Sequence, residues 1–346
     1  MDLNNLEKIL EKEPKYRLKQ AKEAVFKNLI NDWQEAVFLP LELRQKLNEE
    51  CPLSINSEIL VSKTKDSVKA RITLKDGLKI ESVLMRHIDP FRSEASGRNT
   101  VCVSSQVGCP LGCLFCATGT MGFKRNLDYS EIIEQVIFFN RYLKKNTPSE
   151  SEGFAKHVTN VTFMGMGEPF LNYENVMKAV RIINDKEAFN IGARSISIST
   201  VGIVEGIEKL SKEGIQVNLA ISLHAPNNKL RSSIIPVNKK YPMEIIFKEV
   251  DEYIKKTKRK VMFEYLLIKD VNDSDDIAKE LALLMRKPLY FLNLILYNPT
   301  GAFKPSSSKR VEGFKRILKK MNVNFSQRYR FGDDIKAACG QFITSK

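Results

Sequence analysis

The stretch VCVSSQVGCPLGCLFCATG, residues 101–119, decides how the rest of this 346-residue chain is read. TVCVSS (100–105) reads as a β-strand, and the chain then enters a loop punctuated by Gly108, Pro110 and Gly112. The loop carries Cys109, Cys113 and Cys116 in a C-x3-C-x2-C spacing. Three thiolates so placed can each bind one iron of a 4Fe–4S cluster, leaving the fourth iron without a protein ligand and open to a small molecule. The glycines let the backbone wrap closely, and the proline stiffens it. A zinc site completed by Cys102, Cys51 or His224 is the competing reading. Zinc knuckles usually come as two C-x2-C pairs, however, and the sequence has no second pair.

Outward from the loop, strands and helices alternate. The strands are TVCVSS, NVTFMG (160–165), RSISIST (194–200), QVNLAISL (216–223), KVMFEYLLI (260–268) and YFLNLILY (290–297), followed by a last one, NFSQRYRF (324–331). Helical periodicity runs from Ser130 to about Leu143 and near 174–185, 204–213, 243–256, 275–286 and 309–321. Six βα units of this kind predict an α/β fold with a parallel sheet curled into a full or partial barrel. Upstream, residues 1–55 read as a small helical accessory domain, with amphipathic stretches from Tyr16 and from Leu39. Residues 56–98 read as a β-rich extension with Asp76-Gly77 as a hairpin turn, and 99–346 as the main domain. The polar segment 144–157 reads as a surface loop. In a parallel barrel, chemistry gathers at the C-terminal strand ends. The cysteine loop, Gly165-Met166-Gly167-Glu168, Ser199, Ser222-Leu223-His224 and Asn298 all fall there.

Lys and Arg number 55 against 41 Asp and Glu, a net charge of +14. Such an excess favours a polyanion, most commonly nucleic acid, although a Lys-rich surface also serves solubility. Lys124-Arg125, Lys239-Lys240, residues 255–260 and Arg328/Arg330 are the candidate contacts, each also readable as a solvated face. No apolar run reaches 18 residues, and the N-terminus lacks an apolar signal core, so a cytoplasmic location and no membrane are expected. In a reducing compartment, six cysteines clustered in this way point to metal or redox chemistry.

The cysteine spacing with Phe115 before the third thiol resembles the hallmark of radical S-adenosylmethionine (SAM) enzymes. More narrowly, CVSSQVGC (102–109), GFKRNL (122–127), FMGMGEP (163–169), ISLHAPN (221–227), NDSDDIA (272–278) and GDDIKAACGQ (332–341) resemble the RlmN/Cfr family of radical SAM RNA methyltransferases, in order and across nearly the whole chain. The resemblance implies a partial (β/α)6 radical SAM barrel and a 4Fe–4S cluster on Cys109, Cys113 and Cys116. It also implies SAM, two per turnover, bound at Gly167, Glu168, Ser199, Ser222, Leu223, His224 and Asn298.

The resemblance further implies that Cys339 takes a methyl group from one SAM as a thiolate nucleophile. A radical made from the second SAM then activates that S-methyl group for addition to an adenine carbon, which has no nucleophilic lone pair of its own. Cys102 is implied as the resolving cysteine that releases product through a transient disulfide, and Glu81 as the proton acceptor. Without the resemblance, Glu81 would read as a solvated strand residue, His224 as a structural histidine, and Cys51 as a small buried hydrophobe. The implied partners are 23S ribosomal RNA and tRNA, with flavodoxin or ferredoxin as electron donor and the enzyme acting as a monomer. An adenosine reached inside a barrel must leave its stack.

C2-methylation of the adenosine is the first reading, and C8-methylation of the same ribosomal adenosine is the alternative. GDDI leans to the former and CATG and RYRFG to the latter, so regiochemistry stays open. A non-catalytic RNA-binding protein with a structural cluster, or an activase acting on a protein, would need neither Cys339 nor Cys102.

Overall fold

The alternating residues from 57 to 87 fold as an antiparallel meander of β1 (Ser57–Val61), β2 (Ser67–Thr73) and β3 (Lys79–His87). Asp76-Gly77 makes the turn, with Gly77 at φ +79° where a side chain would be strained. In this computed structural model, residues 1–87, 97–147 and 155–342 are described. Residues 148–154 of the expected surface loop lie outside them.

β3 pairs with β4 (Arg98–Cys102) antiparallel, Val83 opposite Cys102, and there the sheet changes character. The short β5 (Gln106–Gly108) and β6 (Phe123–Asn126) form a separate ribbon around the cysteine loop. From β4 the main sheet continues in parallel through β7 (Asn160–Phe163), β8 (Ile196–Thr200), β9 (Asn218–Ser222), β10 (Val261–Leu267), β11 (Tyr290–Leu296) and β12 (Phe325–Gln327). Each strand lies beside its predecessor, as crossovers of one hand require. Among the described residues β12 and β1 stay unpaired at the two edges, so the barrel is open. The β extension is therefore continuous with the parallel sheet.

The helices expected over residues 1–55 are α1 (Leu3–Leu10), α2 (Lys15–Phe26) and α3 (Leu41–Glu50). The first, α1, buries four apolar residues within a charged stretch. The crossovers supply α4 (Ala117–Thr120), α5 (Tyr129–Asn146), α6 (Tyr173–Asn184), α7 (Val204–Leu210), α8 (Asn228–Ile234), α9 (Met243–Thr257), α10 (Asp275–Leu284) and α11 (Ser308–Lys320). Their starts are chemically marked. Asp128 and Glu131 form a reciprocal capping box on α5, and Asn227, Ser274 and Ser307 cap α8, α10 and α11. β12 is shorter than the stretch 324–331 because the chain leaves the sheet after Arg328, whose N–H makes a last bond to Leu294 O at 2.8 Å.

One hydrophobic core joins all of this. Leu6 of α1, Trp33, Phe139 of α5, Phe163 of β7 and Phe263 of β10 are buried within it. Polar bonds fasten the N-terminal helices to α5. The Leu3 N–H donates to Ser130 Oγ (3.1 Å), Tyr129 OH to Asn4 Oδ1 (2.8 Å) and Arg141 Nη1 to Leu53 O (2.8 Å). No helix among the described residues is long and apolar enough to cross a membrane. Phe139→Ala, which empties a fully enclosed site, is expected to lower unfolding free energy by about 3–5 kcal/mol in urea titrations.

Candidate active site

The ribbon of β5 and β6 gives the cysteine loop its shape. Gly108 sits at φ +77°, and a Cβ there would lie 1.8 Å from Gly122 O, so only glycine lets the strands approach. The Cys109 N–H donates to the same Gly122 oxygen at 3.0 Å, and Cys116 N–H to Cys113 O at 3.1 Å. Cys109, Cys113 and Cys116 face a cavity of about 980 Å³. Burial, followed by the charges of Glu168 and Cys116, pushes the Cys109 thiol up to about 12; burial and the neighbouring thiols push Cys113 up as well. Thiols that oppose one another's ionisation in this way are a donor set that cationic iron would stabilise as thiolates. Among the described residues, no three His, Cys, Asp or Glu side chains converge as ligands of one ion. Of the candidate fourth zinc ligands, Cys51 is buried against Asp2 O and His224 Nδ1 is taken by Leu266 N–H, so three thiols with one open position, as a cluster needs, are the donor set.

The neighbouring strand ends line the same cavity. Gly167, at φ +97°, packs so closely that a Cβ would meet Gln106 Cβ at 2.5 Å. Glu168 follows it, buried, accepting from Val201 N–H (2.8 Å) and Phe170 N–H (3.0 Å), and desolvation holds its pKa up at about 7. The hydroxyls of Ser199 and Ser222, on β8 and β9, stand 3.4 Å apart. His224 has a left-handed backbone (φ +56°) and its Nδ1 accepts from Leu266 N–H at 3.1 Å, which leaves the ring proton on Nε2. Its ring meets Phe115 edge-on at 4.8 Å, and burial lowers its pKa to about 3. Leu223, between Ser222 and His224, is buried and does not line the cavity; its N–H is bonded to Glu264 O at 3.1 Å.

The far end of the chain closes the site. Ala117 N–H donates to Gly340 O (2.7 Å) and Thr118 Oγ1 to Phe342 O (2.8 Å), which stitches residues 339–342 to the cysteine loop. Cys339 thereby lines the thiolate cavity and also a second one of about 1500 Å³, where Cys102 and Asn298 lie. Asn298 Nδ2 donates to Cys339 O at 3.3 Å. Burial raises both Cys102 and Cys339, the proximity of Cys339 raises Cys102 further, and Arg328 opposes the rise in each. Arg328 Nη1 is 3.9 Å from Cys339 Sγ and 3.8 Å from Glu264 Oε2. Glu81 lines neither cavity. It is buried on β3, with Lys69 Nζ at 2.7 Å and Arg71 Nη2 at 3.6 Å from its carboxylate.

Several supporting residues carry no plain signal in the sequence. Arg231 looks like one charge on a solvated helix, yet it is wholly buried. It donates to Val201 O (2.5 Å), Ser222 O (3.0 Å), Leu223 O (3.1 Å) and Asn238 Oδ1 (2.6 Å), clamping the ends of β8 and β9. Asn272 donates to His224 O (2.8 Å) and Leu266 O (2.6 Å), which gives NDSDDIA a bracing role. Arg125, expected on the RNA-facing surface, is instead bound to Asp76 (2.6 Å) and bidentately to Glu131 (2.7 and 2.8 Å). Cys51 is buried and bonds to Asp2 O at 3.3 Å, as a structural thiol would.

The model of the radical SAM superfamily matches residues 103–281. The chain is 44% identical to a "Probable dual-specificity RNA methyltransferase RlmN" of Dictyoglomus thermophilum, covering 95% of this chain and 90% of that one. It is 43% identical to a "Ribosomal RNA large subunit methyltransferase N" of Nitrosopumilus maritimus, covering 95% and 93%. Among solved structures, a radical SAM methyltransferase from Sphaerobacter thermophilus superposes with a TM-score of 0.90 at 41% identity, covering 99% of this chain and 97% of that one.

Gly108→Ala is expected to cut iron and sulfide content severely after anaerobic reconstitution, while far-ultraviolet circular dichroism stays native. The buried, neutral His224 sets a pH dependence. Its pKa falls from 6.5 unfolded to about 3 folded, so its stabilisation is complete above 6.5 and is lost as pH falls from there. The loss approaches about 1.4 kcal/mol per pH unit. Denaturant midpoints between pH 6.5 and 4 should therefore slope less in His224→Asn, which tolerates the same backbone.

Proposed function

This chain belongs to the RlmN/Cfr family of radical SAM RNA methyltransferases, and from that premise we propose that it methylates C2 of an adenosine in 23S ribosomal RNA and in tRNA, through an S-methylated Cys339. The observation that carries the reading is the place of Cys339, at the junction of a cavity bearing three thiols and a cavity bearing Cys102. The dual specificity named for the Dictyoglomus relative supports two RNA classes. A monomer in the cytoplasm, reduced by flavodoxin or ferredoxin, completes the proposal.

Cys109, Cys113 and Cys116 would hold the 4Fe–4S cluster, and Gly167, Glu168, Ser199, Ser222, Leu223, His224 and Asn298 would hold SAM. When bound, that pair supplies a methyl group from one SAM and a carbon-centred radical from a second. The remaining work falls to the chain. Glu168 and the strand-end carbonyls suit an ammonium group. Cys339 must shed its proton to act as nucleophile, and the nearby Arg328 cation favours the thiolate. Once loaded, Cys339 carries the one-carbon unit to the adenine ring. Cys102, lining the second cavity, then attacks the sulfur of Cys339 as a thiolate. The S–C bond breaks with its electron pair on the carbon, which takes up a proton and leaves with the base as a methyl group, and the Cys102–Cys339 disulfide left behind is returned to two thiols by a dithiol reductant. Glu81 shares a sheet face with Cys102, since it stands two residues from Val83, the partner of Cys102 across β3 and β4. We assign it the ring proton; Lys69 Nζ lies 2.7 Å from its carboxylate.

Cys339→Ala should abolish methyl transfer from labelled SAM to RNA, an outcome that a non-catalytic RNA-binding protein would not show. Cys102→Ala should accumulate RNA covalently joined to protein on denaturing gels, and Glu81→Gln should slow release of that adduct. Mass spectrometry of digested product RNA should show 2-methyladenosine. Finding 8-methyladenosine instead would reassign the target carbon.

A further inference from the structure

The second cavity, about 1500 Å³, has an unusual rim. The chain leaving β12 places Tyr329, Arg330 and Phe331 there, opposite His87 at the end of β3 and Arg98 at the start of β4. The rings of His87 and Phe331 meet with centroids 4.6 Å apart, and those of Phe331 and Tyr329 with centroids 4.8 Å apart. This aromatic series runs from the interior outward. Phe331 is 8% exposed and Tyr329 is 73% exposed, the most exposed aromatic ring among the described residues. Arg330 is braced from within the cavity, its Nε donating to Asn298 Oδ1 at 3.1 Å and its Nη2 lying 3.2 Å from Asp333. The lining of the same cavity includes Cys102 and Cys339, the two sulfurs assigned to methyl transfer and release.

An adenosine drawn in to those sulfurs has to leave its stack, and its neighbour in the strand then loses a stacking partner. Single-stranded RNA is commonly held where an aromatic face can replace that partner and guanidinium groups can meet the backbone. Tyr329 offers such a face at the mouth, buttressed by Phe331 and His87, and Arg98 and Arg330 flank it. We propose that Tyr329 is the stacking platform for the nucleotide next to the target adenosine, with Arg98 and Arg330 beside the phosphates and the second cavity as the seat of the flipped base. The proposal rests on the RNA reading of the preceding subsection and adds a nucleotide-binding surface to it. It makes recognition depend on the neighbour's stacking as well as on the target.

The test uses the full-length, cluster-loaded protein and a short RNA stem-loop containing the target adenosine, together with the same stem-loop made abasic at the adjacent position. Tyr329→Ala should weaken binding of the intact stem-loop about 10-fold, seen as a raised KM with kcat nearly unchanged. Tyr329→Phe should bind within about 2-fold of the wild type, because a phenyl face stacks equally well. The abasic RNA should lose a similar factor with wild type and nothing further with Tyr329→Ala. Methylation of Cys339 from labelled SAM in the absence of RNA should be the same in all three proteins, which reports on folding and cluster loading. The proposal is overturned if Tyr329→Ala binds the intact stem-loop as tightly as wild type, in which case the ring serves another surface. It is also overturned if the losses from variant and abasic RNA multiply. A wild-type protein that binds the stem-loop but transfers no methyl group would instead sink the enzymatic reading.

Discussion

The hydrogen bonds from the cysteine loop to the last described residues are the constraint on which the site depends. Thr118 and Phe342 are 224 positions apart in sequence, yet Thr118 Oγ1 donates to Phe342 O at 2.8 Å. That bond and its companion from Ala117 to Gly340 set Cys339 against the three-thiol cavity. Without them, the sulfur that must serve two cavities would hang on an irregular segment with left-handed residues at Gly332 and Lys336. Both bonds use atoms beside Cys116, so the loop that shapes the three-thiol cavity also fixes the position of Cys339.

The electrostatics around this junction are arranged in opposition. Desolvation raises every thiol whose shift is resolved, which keeps buried sulfurs from ionising on their own. Arg328 pulls the other way on Cys339 and Cys102. Arg231 does so more weakly on Cys113, while it clamps the carbonyls at the ends of β8 and β9. Two arginines thus bias different sulfurs.

Much of this was readable before folding, for physical reasons that can be named. The parallel strands announce themselves because both faces are buried, which leaves apolar runs such as YLLI (265–268). The cysteine loop is legible because its spacing, glycines and proline are local, and helices α5, α6, α9, α10 and α11 are legible from their periodicity. Long-range placement is harder. Glu81, Lys69 and Arg71 all look like solvated strand residues, but register turns the Glu81 carboxylate inward. Arg231 and Asn272 bond to backbone carbonyls brought near only by the fold, and no spacing in the sequence encodes that. The helix α8 was missed because its seven residues, NKLRSSI, hold only two apolar side chains, Leu230 and Ile234, too few to set a period.

Helix α5 links features that otherwise seem unrelated. It has 18 residues, so it extends about 27 Å. At its N-terminal end Glu131 grips Arg125 of the ribbon that feeds the cysteine loop, and farther along Arg141 grips the backbone at Leu53 and Ile30. A helix of that length behaves as a strut. The same rod thus ties the chain around Ile30 and Leu53 to the ribbon at Arg125, so the periphery and the cysteine loop rest on one shared beam.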